Sequence, residues 1–169
     1  MNSISDSRVS IDNIDRRILD SLQDDASLSN DALARRALTS PATCLRRVRR
    51  LTEAGVIERR VAILSPERLG HGLTAIVEVT LDRQSAEALA AFEARAVANS
   101  AVRQCHRVSS GPDFVLMLQV ADMAAYHGVV QRLFSDDANV RNVKAFFSVH
   151  RAKFETRIDL PPPEGPVRS

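Results

Sequence analysis

The first periodic pattern in the chain begins at Ile11. Ile11, Ile14, Ile18, Leu19 and Leu22 recur at three- and four-residue spacing and predict an amphipathic helix with Asp12 as its N-cap. A short second helix follows Ser29 as cap, with Leu33, Ala34 and Ala37 as its apolar side, and Leu38 and Thr39 make the turn after it. Ser40 then caps a third helix, with Pro41 in the first turn, where a missing N–H costs nothing. Pro41, Cys44, Leu45, Val48 and Leu51 predict its buried stripe. A step of about 100° per residue puts Ala42, Thr43, Arg46, Arg49 and Arg50 on the opposite side, with Arg47 flanking. Gly55 ends this helix, and Val56 to Leu64 reads as a strand that adds Arg59 and Arg60 beside it.

From Ser65-Pro66 to Gly70-His71-Gly72 the periodicity breaks, as a linker would (residues 65–72). Beyond it the order is strand, helix, strand, strand, helix, strand: Leu73 to Leu81, Ser85 to Asn99, Val102 to Ser109, Asp113 to Ala121, a helix capped by Asp122, and Val140 to His150. This βαββαβ order is the ferredoxin-like split fold. The expected architecture is therefore α+β: a trihelical unit over residues 11–64 and a ferredoxin-like unit over 73–155. A tail over 156–169, rich in proline from Pro161 to Pro166, is expected to be disordered. Two helices cover only one face of a four-stranded sheet, yet Phe114 to Val120 is apolar on both sides. A second sheet in a homodimer is the simplest cover.

Charge changes this picture locally. Residues 30–60 hold eight arginines against Asp31, Glu53 and Glu58, a net +5, whereas all 169 residues together carry +2. An arginine-rich helix face is most often merely solvated. Its setting, behind a trihelical core and beside Arg59 and Arg60, argues instead for a surface that docks on double-stranded DNA. Small residues at the leading end of the third helix let its backbone approach base edges, and guanidinium groups reach guanine edges and phosphates.

Hydrophobic residues make up 44% of the chain, but no apolar run approaches 18 residues, so no membrane span is expected. The opening segment MNSISDSRVS has no apolar core of a secretory signal, which leads to an expected cytoplasmic location. Cys44 and Cys105 are too few for a disulfide framework or a zinc set, and Cys44 reads as a core thiol. No metal or cofactor is expected. His71 falls in the linker and His127 on an exposed helix side. His106 shares a strand face with Val102 and Val108 and reads as a buried imidazole, and His150 lies at the end of the last strand. No nucleophilic triad, metal-ligand or phosphate-loop spacing appears, so the chain is not expected to be an enzyme.

With these residues placed, the chain resembles the Lrp/AsnC (leucine-responsive/asparagine) family of transcription regulators from about Ile11 to Lys153. The stretches that carry the resemblance are IDNIDRRILDSLQDDASLSNDALARR, SPATCLRRVRRLTEAGVI, SPERLG and CHRVSSGPDFVLMLQVADMAAY. It implies an N-terminal winged helix-turn-helix, whose DNA-binding residues here are Ser40, Ala42, Thr43, Arg46, Arg47, Arg49, Arg50, Arg59 and Arg60. It also implies a C-terminal effector-sensing ferredoxin-like (RAM) domain, amino-acid effectors, dimers that assemble into octamers, and a nucleoid-associated cytoplasmic regulator. The family's hairpin loop commonly reads glycine–aspartate–any–aspartate–tyrosine. The matching residues here are Ser110, Gly111, Pro112, Asp113 and Phe114. By the resemblance Ser110, Gly111, Asp113 and Phe114 border the effector, with Asp113 either holding an ammonium group or capping the turn. Siroheme decarboxylases share the two-domain plan and supply an enzyme alternative; an architectural DNA-wrapping protein without a ligand is the other.

Overall fold

The computed structural model describes residues 9–160 and divides the chain into two units, one formed by residues up to 63 together with the chain from Phe154, the other by Leu64–Lys153. In the first, α1 (Asn13–Asp24), α2 (Asn30–Arg36) and α3 (Pro41–Glu53) start at Asp12, Ser29 and Ser40, each of which accepts a backbone N–H. Asp12 forms a reciprocal capping box with Asp15. Leu38 takes the left-handed conformation (φ 55°) in the turn, as Gly55 does (φ 72°) after α3. Gly55 and Val56 donate to the Thr52 and Leu51 carbonyls and close the helix end. Ile18, Leu19, Leu33, Ala34, Ala37, Cys44 and Leu51 form the core.

Three expectations are corrected in this unit. Residues 56–64 form no strand: among the described residues no neighbour pairs with them, and Val61, Ile63 and Leu64 are exposed. An alternating apolar segment becomes a strand only when another backbone takes its N–H and C=O groups. Pro41 and Leu45 are exposed, because the buried stripe of α3 runs through Cys44, Arg47, Val48 and Leu51 instead. The segment from 156 is held at least to Leu160. Arg157 pairs with Asp20 and Asp24, Gln23 exchanges two hydrogen bonds with the Ile158 backbone, Arg16 donates to the Leu160 carbonyl, and Leu160 packs on the core. The proline-rich residues 161–166 lie outside the described residues.

In the second unit a turn of 3-10 helix (Glu67–Leu69) precedes β1 (Leu73–Leu81), α4 (Ala86–Ala98), β2 (Val102–Arg107), β3 (Phe114–Val120), α5 (Met123–Val130, continued by a wide turn to Ser135) and β4 (Val140–Phe147). The antiparallel sheet has the order β2-β3-β1-β4. Ala75, Val77, Val79, Phe114, Leu116, Leu118 and Val120 pack against Phe92, Ala96, Tyr126 and Val129, so both helices cover one face. The open face presents Ile76 (38% exposed), Val115, Met117 and Phe146 (44% exposed), with Lys144 over the Phe146 ring.

Two bulges are invisible to a period of two. One between Val102 and Gln104 keeps Val102 on the helix side but turns His106 to the open face opposite Val115, where it is exposed. His106 is therefore not a buried imidazole. The other, between Thr80 and Leu81, shifts the register of β1 on β4.

Candidate nucleic-acid interface

The candidate surface is built on α3. Ser40 Oγ accepts from the Thr43 N–H (3.2 Å) and donates to Thr43 Oγ1 (2.9 Å), so both hydroxyls are engaged in starting the helix. Asn30 donates to the Pro41 carbonyl at 2.9 Å and links the start of α2 to that of α3. The solvent side of α3 is formed by Ala42, Leu45, Arg46, Arg49 and Glu53, which with Arg50 line a shallow depression of about 500 Å³. Arg46, Arg49, Arg59 and Arg60 are exposed, and none forms an ion pair with a carboxylate among the described residues.

Arg47 and Arg50, expected with them, turn toward α1. Asp15 is 1% exposed. It accepts from Arg47 Nη1 (2.9 Å) and from Arg50 Nη2, while Arg47 Nη1 also reaches Asp12 (2.6 Å) and Arg50 Nη1 the Ser10 carbonyl (3.3 Å). The two carboxylates and two guanidinium groups neutralise one another, which makes burial of Asp15 tolerable. Burial pulls the Asp12 carboxyl up, but the Asp15 N–H, the hydrogen bond and charge of Arg47 and the Ile14 N–H outweigh it and hold the group below its ordinary value. For Arg47, the bond to Asp15 outweighs desolvation, and Asp12 adds to it, so its pKa rises. Burial raises the Cys44 thiol, against a small opposing effect of Arg60, as a core thiol requires.

Asp15 is the residue the sequence reading passed over. Its signal was there: an acid at three- and four-residue spacing from Ile18 and Leu19, on the stripe that should be apolar, and three residues after Asp12. A charge in that position must have a partner, and α3 supplies two.

The β2–β3 loop is the second candidate site. Gly111 (φ 87°) turns it, with nothing within 4 Å of an added Cβ, so the backbone angle alone demands glycine. Ser110 and Gly111 are exposed. Asp113 donates its N–H to the Val79 carbonyl, and its Oδ2 accepts the Leu81 N–H at 2.7 Å, at the bulge of β1. Its carboxylate thus braces the irregular end of β1, and no bond from it to the hairpin loop is present among the described residues. Phe114 does not border the loop surface: it is fully buried, 4.8 Å from the Phe92 ring, with Arg107 over its outer face. Strand alternation forces this, since Phe114 shares its side with Leu116 and Leu118. Among the described residues, no cluster of three or more His, Cys, Asp or Glu could hold a metal, and no helix is long and apolar enough to cross a membrane.

Comparison with known proteins finds a match for each part of the chain. Residues 11–58 match a model for winged helix-turn-helix DNA-binding domains, and residues 74–158 one for the Lrp/AsnC ligand-binding domain. The chain is 37% identical over 153 residues to the leucine-responsive regulatory protein of Rhizobium meliloti, covering 90% of this chain and 98% of that protein. It is 34% identical over 148 residues to that of Salmonella typhimurium, covering 88% and 90%. Among solved structures, an AsnC family transcriptional regulator from Agrobacterium tumefaciens superposes with a TM-score of 0.82 at 32% identity, over 88% of this chain and 97% of that one. A transcriptional regulator from Neisseria meningitidis in complex with L-Met gives a TM-score of 0.82 at 29% identity, over 89% and 97%.

Proposed function

Because the chain belongs to the Lrp/AsnC family of transcriptional regulators, we propose that α3 reads operator DNA and that a small molecule, of the amino-acid class, modulates the binding. The observation that carries the DNA assignment is the open face of α3, with Arg46 and Arg49 unpaired by carboxylates on a helix whose two other arginines, Arg47 and Arg50, are neutralised. Ala42 and Thr43 lie at the leading end of the helix, where side chains meet base edges, with Arg46 and Arg49 one and two turns further. Ser40, Arg59 and Arg60 flank them toward the phosphates. Arg47 and Arg50 act mainly by fixing α3 on α1; Arg50, with its side chain 42% exposed, can also approach a phosphate.

For the sensor, an L-Met complex is the state of the Neisseria meningitidis relative, and this reading extends the amino-acid class to the present chain. Ser110, Gly111 and the remaining oxygen of Asp113 are the polar groups the loop can offer an ammonium and carboxylate; Phe114 supports them from the core. The open sheet face, with Ile76, Met117 and Phe146, is the dimer contact in this reading, and dimers assemble into octamers in the cytoplasm on the nucleoid. The functional boundaries are 11–64 for DNA binding, 65–72 for the linker and 73–155 for sensing and assembly. The relatives are regulators, and the protein is assigned no catalytic role.

The test is a duplex selected from a random pool. Arg46→Ala should weaken the selected duplex by about 1–3 kcal/mol and random duplexes much less. Equal weakening of both would make Arg46 a phosphate ligand and refute its base-reading role. Calorimetry against the twenty amino acids tests the sensor: no heat from any of them would contradict the effector class.

A further inference from the structure

The spacing of α3 predicts Leu45 in the buried stripe, but Leu45 is 42% exposed at the centre of the face formed by Ala42, Arg46 and Arg49. We propose that Leu45 is a specificity-determining residue that reads the 5-methyl group of a thymine in the major groove. This rests on the assignment of α3 as the DNA-reading helix and names one feature of the sequence it reads.

An exposed leucine is ordinary by itself; its surroundings distinguish this one. Leu45 lies in the second turn of α3, in the N-terminal half of the helix, the part that enters the groove in helix-turn-helix docking. Ala42, one turn before it, adds only a methyl group and leaves the backbone free to approach. Arg46 and Arg49 stand beside it without carboxylate partners among the described residues, so the apolar end of Leu45 is set in a cationic field. An apolar protein partner does not fit that field, because charged residues are depleted at the core of protein interfaces. A second copy packed symmetrically on the same face would oppose Arg46 and Arg49 to their own copies. A duplex fits both features: its phosphates satisfy the arginines, and the one apolar group on its major-groove edge is the thymine methyl.

The experiment takes the selected duplex and replaces each thymine in turn by deoxyuridine, which removes the methyl and keeps every hydrogen-bonding group. The full chain should lose about four-fold in affinity at one thymine position of each half-site, the effect of one buried CH₂. Leu45→Ala should weaken the thymine duplex by a similar factor and become indifferent to the methyl there. Leu45→Met, with an apolar end of similar reach, should keep the dependence. Leu45→Ala that retains the wild-type methyl dependence, or a wild type indifferent to every methyl while binding its duplex tightly, overturns this inference alone. Failure of the wild type to bind any duplex overturns the DNA assignment and this inference with it.

Discussion

Replacing Asp15 by alanine removes the acceptor shared by Arg47 and Arg50 and leaves two guanidinium groups with only Asp12 and the Ser10 carbonyl. The Arg47 side chain is 17% exposed, so its bond is a partly desolvated, charge-assisted one, of about 1.5–3 kcal/mol. The Arg50 side chain is 42% exposed and its bond is screened by solvent, contributing about 0–1 kcal/mol. Losing the Asp15 side of the capping box adds a few tenths, so the total is about 2–4 kcal/mol. The chain has no tryptophan and its single tyrosine, Tyr126, lies in the other unit, so intrinsic aromatic fluorescence does not report on the change. Cys44 supplies the probe. It is fully buried in the trihelical core, and a thiol reagent reaches it only when that unit opens. In a Cys105→Ser background, Asp15→Ala should speed labelling of Cys44 roughly 30- to 700-fold. Asp15→Asn, which keeps an acceptor oxygen but not the charge, should fall between. An acceleration below roughly three-fold for Asp15→Ala would refute the view that this cluster holds α3 against α1.

Two further outcomes follow from the same unit. The folded state holds the Asp12 carboxyl below its ordinary 3.8, so its contribution to stability is present above that pH and lost as the pH falls below it; the urea midpoint followed by circular dichroism should fall between about pH 5 and pH 3, and Asp12→Asn should make that fall smaller. Gln23→Ala removes both hydrogen bonds to the Ile158 backbone; hydrogen exchange should quicken at the Ile158 amide and stay unchanged at Val77, whereas unchanged exchange at Ile158 would mean the segment is held elsewhere.

What the sequence disclosed and what it withheld have separate physical causes. The caps at Asp12, Ser29, Ser40 and Asp122 were legible because a short polar side chain beside an apolar period has one common use. Alternation located β1 and β3 well, since both have a fully buried face. It misassigned His106, because one extra residue in a strand reverses every side chain after it and leaves no mark on composition. The rotation of α3 was hidden for a related reason. Cys44, Leu45 and Val48 are all apolar, and helical spacing allows two adjacent stripes; the choice was made by Asp15, which draws Arg47 and Arg50 inward and turns Leu45 out. Phe114 was misjudged by taking a loop motif as a surface, although its strand had already fixed its direction. The segment 157–160 was read from its proline-rich neighbours, yet four side chains of α1 hold it.

The central claim is that the outer face of α3 docks on DNA while its inner arginines hold the helix in place. A salt titration of binding to one duplex tests it most directly, with wild type beside Arg49→Ala. Each phosphate neutralised contributes about −0.9 to the slope of log affinity against log salt, and a dimer presents Arg49 twice, so the slope should become shallower by roughly 1.8. A slope unchanged by Arg49→Ala, with affinity also unchanged, would mean that this face meets only water, and would contradict the account.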